Sequence, residues 1–392
     1  LLPIVLFPTF DVLATNATTA NYSKSIIFLF LGGFMLAIAT QKTDLHKVIS
    51  NKLLSIFPNT PRGILFSLSI TSAFLSSLLS NTTTALLLIP IAMYLAHNDK
   101  LKLRFVLAIA YGASIGGIMT PIGTPPNLIL LGFMEDNAIE SVSFVKWMVL
   151  TLPLAAIMLL IIPYVLSLGA TNYKLDEMEG NTKINAEQKR LLYILGTLVL
   201  VLLFNSKIEP YYLGLGLNEK VILLAYGLLM FVPKIGFLTW EDTKKIPYEI
   251  IFLFGAGFSI AAAFSKTGLA AVIAENLLSL SLLPPILLIL LVASMITFTT
   301  EVTSNTALIS IALPIIYSLG QSSNIDTNLI IFVATICASY AFMLPIATPP
   351  NAIAMSSGAV RVKDMASYGF LFNIIGICSI TFIALVFWQY YL

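Results

Sequence analysis

Residues 119–129, MTPIGTPPNLI, and residues 343–353, MLPIATPPNAI, write one motif twice, 224 positions apart. The same offset relates IIFLFLGGF at 26–34 to IIFLFGAGF at 250–258, and the Ser-Asn-Thr at 80–82 to that at 304–306. Three matches at one offset, with no gap, mark an internal duplication, so the fold has to accommodate two copies of one unit. Each copy reads as four parts. A span comes first (about 25–41 and 249–266), then a shorter amphipathic stretch (44–57 and 268–283). An apolar segment interrupted by Ser-Asn-Thr follows (about 62–96 and 284–319), and a long helix broken at Thr-Pro-Pro-Asn closes the copy (about 103–134 and 328–358). Three further spans lie between the copies, near 145–168, 188–204 and 219–233, and a last one covers about 366–391.

The duplicated parts are too greasy for water. With 58% hydrophobic and 10% charged residues, the chain cannot present an ordinary polar surface. Its apolar runs reach the roughly 20 residues that cross a bilayer as helix and are too long for barrel strands. The fold class is therefore an all-α integral membrane protein. A net charge of +2 with no dense basic run excludes nucleic acid as a partner. Cys337 and Cys378 sit in apolar helical text and read as small core hydrophobes. His46 and His97 fall in polar connections and read as solvated. Residues 1–10 read as the end of a truncated span.

Five crossings separate the two opening spans, an odd number, so the copies are expected to be inverted relative to each other. Charge placement tests this count. One side gathers Lys42, Lys47, Lys52, Arg62, Lys100, Lys102, Arg104, Lys174, Lys183, Lys189, Arg190, Lys234, Lys244, Lys245, Arg361 and Lys363, which is 16 of the 21 basic residues. The other receives Lys24, Lys146, Lys207, Lys220 and Lys266. The first side reads as cytoplasmic. The acids Glu135, Asp136 and Glu140 outside, and DEMEG at 176–180 inside, read as solvated loops, and the sequons at Asn16 and Asn21 fall in an outer loop.

The chemistry concentrates where the helices break. Pro125, Pro126, Pro349 and Pro350 remove backbone donors and clash with the preceding turn. Backbone freed at membrane depth survives only inside protein or beside a wet cavity, and paired broken helices in inverted halves point to a transporter's site. The Ser-Asn-Thr segments are short for two crossings and read as re-entrant hairpins with tips at Ser80, Asn81 and Thr82 and at Ser304, Asn305 and Thr306. These residue types are strong helix caps, so each returning half-helix aims its positive end into the site, an arrangement suited to an anion with two carboxylates. In the window 76–90 against 300–314 only Ser, Asn, Thr and one Pro are identical, so the polar tip outlasted its apolar surroundings. No basic residue is placed to neutralise an anion there, so cations have to enter with the substrate. Hard oxygen donors suit sodium: Ser76, Ser80 and Asn81 beside Gly123 in the first copy, and Thr300, Thr303 and Asn305 beside Ala347 in the second. Glu301, the one acid in either hairpin, reads equally as an ion or proton site and as a structural acid bonded to the opposing helix end.

Two Ser-Asn-Thr tips, each followed by Gly-Thr-Pro-Pro-Asn or Ala-Thr-Pro-Pro-Asn, resemble the divalent anion/sodium symporter family, which includes sodium-coupled dicarboxylate and citrate transporters. The resemblance implies an elevator-type, inverted-repeat transporter of the cell (inner) membrane that works as a homodimer in lipid, with sodium ions as the coupled cofactor. It implies a moving transport domain, 62–168 with 284–392, and a scaffold, 1–61 with 169–283. It places one sodium on Ser76, Ser80, Asn81 and Gly123 and another on Thr300, Thr303, Asn305 and Ala347. The carboxylates would lie on Ser80, Asn81, Thr82, Ser304, Asn305, Thr306 and Thr348, next to Pro349. Thr303 departs from members that carry a smaller residue there. The expected function is symport of C4-dicarboxylates such as succinate, malate and fumarate. Sodium-independent exchange, or another divalent anion such as citrate or sulfate, stands as the alternative. Enzyme chemistry is disfavoured, with no His-Glu-x-x-His, no Gly-x-Ser-x-Gly and no histidine at membrane depth. A channel is disfavoured because two re-entrant tips describe an occluded site.

Overall fold

The structure, a computed structural model, describes residues 1–96, 98–169, 184–206, 212–276, 280 and 282–392. His97, Lys174, Lys183, Lys207 and the acidic run at 176–180 lie outside the described residues. Among those described, all regular elements are helices. Both copies show the expected four-part order. The first runs Ser25–Lys42, Leu45–Leu54, the pair Pro61–Ser76 and Asn81–Leu95, then Asp99–Ile118 and Pro125–Asp136. The second runs Tyr248–Lys266, Leu269–Asn276, the pair Pro285–Thr300 and Asn305–Gln321, then Thr327–Cys337 and Pro349–Ser356.

The boundaries follow from local chemistry. Thr60 accepts from Gly63 N at 3.2 Å with Pro61 in the first turn, and Asn98 Oδ1 accepts from Leu101 N at 3.0 Å. Thr-Pro-Pro-Asn starts a helix in both copies, since proline is tolerated only in the first turn, where its missing donor has no intrahelical partner. The copies differ in where the preceding helix stops. Asp99–Ile118 has 20 residues and Thr327–Cys337 has 11, so the second break is the longer.

Among the described residues, five helical segments are long and apolar enough to cross a membrane: Thr15–Lys42, Asp99–Ile118, Phe144–Ser167, Tyr248–Lys266 and Val362–Tyr391. The span expected near 219–233 is an 11-residue helix, Glu219–Leu229, about half the length needed. It stops because residues 230–238 fold back, with Phe237 and Leu238 N–H both donating to Met230 O at 2.8 Å. The sequon segment is helical rather than a loop, with Asn16 exposed. Residues 15–23 are helical, and Asn21 is buried with its amide donating to Ala17 O at 3.0 Å.

The repeats interlock crosswise. Pro125–Asp136 packs on Asn305–Gln321 and Thr327–Cys337, while Pro349–Ser356 packs on Asn81–Leu95 and Asp99–Ile118. An aromatic column ties them: Phe332 stands edge-on between Trp147 at 5.0 Å and Trp388 at 4.8 Å. The indole N–H groups donate to Ile118 O at 2.9 Å and Leu150 O at 2.8 Å. Cys337 is in this core, whereas Cys378 is exposed on Val362–Ile383. Apolar text in such a chain does not distinguish an inward from an outward face, as the exposed Val199, Leu200 and Phe204 also show. His46 is buried rather than solvated, because the amphipathic helix folds back on Ser25–Lys42 and brings Nδ1 to 3.1 Å from Thr40 O.

Helices Pro61–Ser76 and Asp99–Ile118 touch backbone to backbone, since a Cβ on Gly116 would lie 2.1 Å from Ala73 O. Gly116→Ala is therefore expected to cost about 1–3 kcal/mol by overpacking. A thermal melt in detergent reads this as a lowered midpoint, and an unchanged midpoint would contradict the packing.

Candidate functional site

Two helix breaks and two Ser-Asn-Thr turns surround one cavity of about 350 Å³. Its lining includes Ser80, Asn81 and Thr82, Ser304, Asn305 and Thr306, Gly123, Thr124 and Pro125, and Ala347, Thr348 and Pro349. Four helices begin at this wall: Asn81–Leu95, Asn305–Gln321, Pro125–Asp136 and Pro349–Ser356. Asn81–Leu95 and Asn305–Gln321 present first-turn N–H groups, the two Pro-Pro starts lack N–H at their first two positions, and all four dipoles are positive at this end. Ser80 Oγ accepts from Thr83 N at 3.1 Å and Thr348 Oγ1 from Asn351 N at 3.4 Å, whereas Thr124 and Ser304 make no side-chain cap.

Each turn is braced from behind by the same contact. Ser76 Oγ donates to Asn81 Oδ1 at 2.5 Å, and Thr300 Oγ1 donates to Asn305 Oδ1 at 2.6 Å. Ser76 and Thr300 are fully buried and lie one layer behind the wall. Thr303 is not among the residues that line the cavity. Its side chain is exposed and donates to Thr299 O at 2.8 Å, because a β-branched hydroxyl at a helix end bonds the carbonyl one turn back.

The breaks are pinned by asparagine. Asn127 Nδ2 donates to Gly117 O at 3.0 Å and Thr120 O at 2.8 Å, and Asn351 Nδ2 donates to Ala341 O at 2.9 Å and Leu344 O at 3.1 Å. Asn127 thereby ties the start of its half-helix to the end of Asp99–Ile118 and to the break, and Asn351 ties the start of its own to the unwound residues of the longer break. Gly123 has no room for a side chain, since a Cβ would lie 2.4 Å from Gly117 O, whereas the longer second break accepts Ala347.

Glu301 explains how the longer break is held. Its carboxylate is buried and accepts from Phe342 N at 2.8 Å, Met343 N at 2.9 Å, Leu344 N at 3.0 Å and Asn373 Nδ2 at 2.7 Å. The acid stands in for missing helical acceptors, which realises the structural reading. The equivalent first-copy residue, Ser77, meets its break by a single bond, Thr120 Oγ1 donating to Ser77 O at 2.7 Å.

The rest of the wall is apolar: Leu78, Leu79, Ile122 and Ile346 come from the turns and breaks, and the remainder from the opening spans. Phe30, Gly33, Phe34 and Ala37 of Ser25–Lys42 face it, with Ile250 and Leu253 of Tyr248–Lys266. Sequence reasoning missed this wall, although 26–34 and 250–258 were already marked by the duplication. It also missed Thr124 and Pro125, which the 224-residue offset pairs with Thr348 and Pro349. No lysine, arginine, aspartate or glutamate lines the cavity, and among the described residues no cluster of three or more His, Cys, Asp or Glu could hold a metal.

The acids Glu135 and Asp136 are engaged rather than merely solvated. Asp136 pairs with Lys24, and Glu135 accepts from Lys220 Nζ at 2.8 Å and Ser25 Oγ at 3.0 Å. Burial alone would raise the Glu135 pKa, but the bonds from Lys220 and Ser25 outweigh it and hold the carboxyl below the usual range.

Replacing Glu301 by Gln turns one accepting oxygen into a donor facing other donors, at a cost of about 1–3 kcal/mol for the buried mismatch. Glu301→Gln is expected to melt lower in detergent than the parent chain, and an equal midpoint would show that the carboxylate does not hold 342–344.

The chain is 31% identical to a sodium-dependent dicarboxylate transporter, SdcS, of Staphylococcus saprophyticus, over 98% of this chain and 80% of that one. It is 32% identical to SdcS of Staphylococcus aureus, over 96% and 78%. Two solved transporters share the fold. The YdaH transporter of Alcanivorax borkumensis has a TM-score of 0.64 at 14% identity over 95% of this chain and 87% of that one. MtrF of Neisseria gonorrhoeae has 0.67 at 13% identity over 94% and 83%. The family described as citrate transporter matches residues 1–337, and this chain, a multi-pass membrane protein and not an enzyme, belongs to it.

Proposed function

We propose that the chain is a secondary active transporter that couples sodium to uptake of C4-dicarboxylates such as succinate, malate and fumarate. One observation carries the reading: four helix N-termini meet around a cavity with hydroxyl, amide and carbonyl groups but no cationic side chain. Helix ends and N–H donors attract an anion, yet two carboxylates without countercharge would cost more on leaving water than these dipoles return. Sodium supplies that charge. The two braced asparagines fit it, being compact all-oxygen sets with the hydroxyl brace already in contact. In this reading Ser76, Ser80, Asn81 and Gly123 hold one ion, and Thr300, Thr303, Asn305 and Ala347 hold the other, Thr303 through its carbonyl. The carboxylates lie on Ser80, Asn81, Thr82, Ser304, Asn305, Thr306 and Thr348, beside Pro349. The relatives' names support sodium and dicarboxylate as the transported pair.

The same proposal treats the repeats as inverted, the Ser-Asn-Thr pairs as re-entrant hairpins and the movement as an elevator. Residues 62–168 and 284–392 carry the site past a scaffold of 1–61 and 169–283, as a homodimer in the inner membrane. The wall of Phe30, Gly33 and Phe34 is the surface the site slides along. A Cβ on Gly33 would lie 3.9 Å from Ile122 Cβ, which matches the spacing of a disulfide.

Labelled succinate uptake into proteoliposomes is expected to require an inward sodium gradient. Uptake that ignores sodium but needs internal dicarboxylate would make the protein an exchanger. Asn81→Ala and Asn305→Ala are each expected to abolish uptake, and wild-type rates in either would return the tips to a structural role. Oxidising a Gly33→Cys/Ile122→Cys pair is expected to stop uptake reversibly, whereas unimpeded uptake across the closed disulfide would rule out the sliding movement.

A further inference from the structure

Three ties on one face join the unit proposed to move to the unit proposed to stay. Lys24 pairs with Asp136, and its Nζ also stands 4.6 Å above the ring of Phe258, which itself covers Gly132. Lys220 Nζ donates to Glu135 Oε2 and to Ser25 Oγ, both at 2.8 Å. Glu219 Oε2 accepts from Phe144 N at 2.7 Å, at the start of helix Phe144–Ser167. The side chains of Lys24 and Lys220 are only 15% and 24% exposed, so these charges are screened less than surface pairs.

The duplication provides an internal comparison. The positions 224 residues from Lys24, Ser25, Glu135 and Asp136 are Tyr248, Glu249, Ala359 and Val360, a set that cannot form an ion pair. We infer that the Lys24–Asp136 and Lys220–Glu135 cluster is a latch that makes the conformation of this structure the resting state. Moving 62–168 relative to the scaffold breaks these ties, and the second copy offers no equivalent to reward the other end of the movement. The inference rests on the proposal that the two units move.

Disulfide formation by Gly33→Cys/Ile122→Cys, in a Cys378→Ser background, reads this conformation directly. In sodium-free membranes, adding Glu135→Gln with Asp136→Asn is expected to slow cross-linking about threefold, the weight of two partly exposed pairs. Lys24→Gln with Lys220→Gln is expected to do the same, and raising potassium chloride is expected to slow the latched protein but not the unlatched ones. Equal cross-linking with and without the latch, while sodium-driven uptake by chains without the engineered cysteines persists, overturns the latch alone. Unimpeded uptake across the closed disulfide removes the movement beneath it.

Discussion

A side-chain amide placed across a broken helix, once in each repeat, is the interaction on which the site depends. Asn127 and Asn351 each donate to two carbonyls that the break has freed. At membrane depth such carbonyls would otherwise lack partners, at a cost of several kcal/mol each. Proline forces the break, and asparagine two residues after the first proline makes it tolerable. Once pinned, each break starts a second half-helix whose N-terminus faces the cavity.

From that constraint the remaining parts fall into place. The crosswise packing brings all four N-terminal ends to one cavity, because each second half-helix lies on the other repeat. The turns are held by Ser76 and Thr300, so the asparagine oxygens are oriented before any ligand arrives. The repeats reach the same end by different means. The first keeps its helix long and closes the break over Gly123, while the second unwinds earlier and hangs three N–H groups on Glu301.

Much of this was legible in the sequence because short words carried it. Ser-Asn-Thr, Pro-Pro-Asn and the offset of 224 residues located both turns, both breaks and most of the polar wall. What escaped depended on distant partners. The choice for Glu301 required knowing that 342–344 is unwound beside it, and Glu135 and Asp136 required Lys24 and Lys220 from other helices. Burial was the weakest inference. Hydropathy does not say which apolar face turns inward: Cys378 reads as core and is exposed, and His46 reads as solvated and is buried. The helix Glu219–Leu229 looked longer because the apolar residues after it continue into a turn.

The central claim is that sodium completes the dicarboxylate site. Calorimetric titration of the purified protein with succinate, at a series of sodium concentrations balanced with choline, tests it most directly. Coupling is reciprocal, so succinate affinity is expected to rise with sodium, and bound succinate is expected to raise sodium affinity by the same factor. Succinate binding of equal strength with and without sodium would contradict the account.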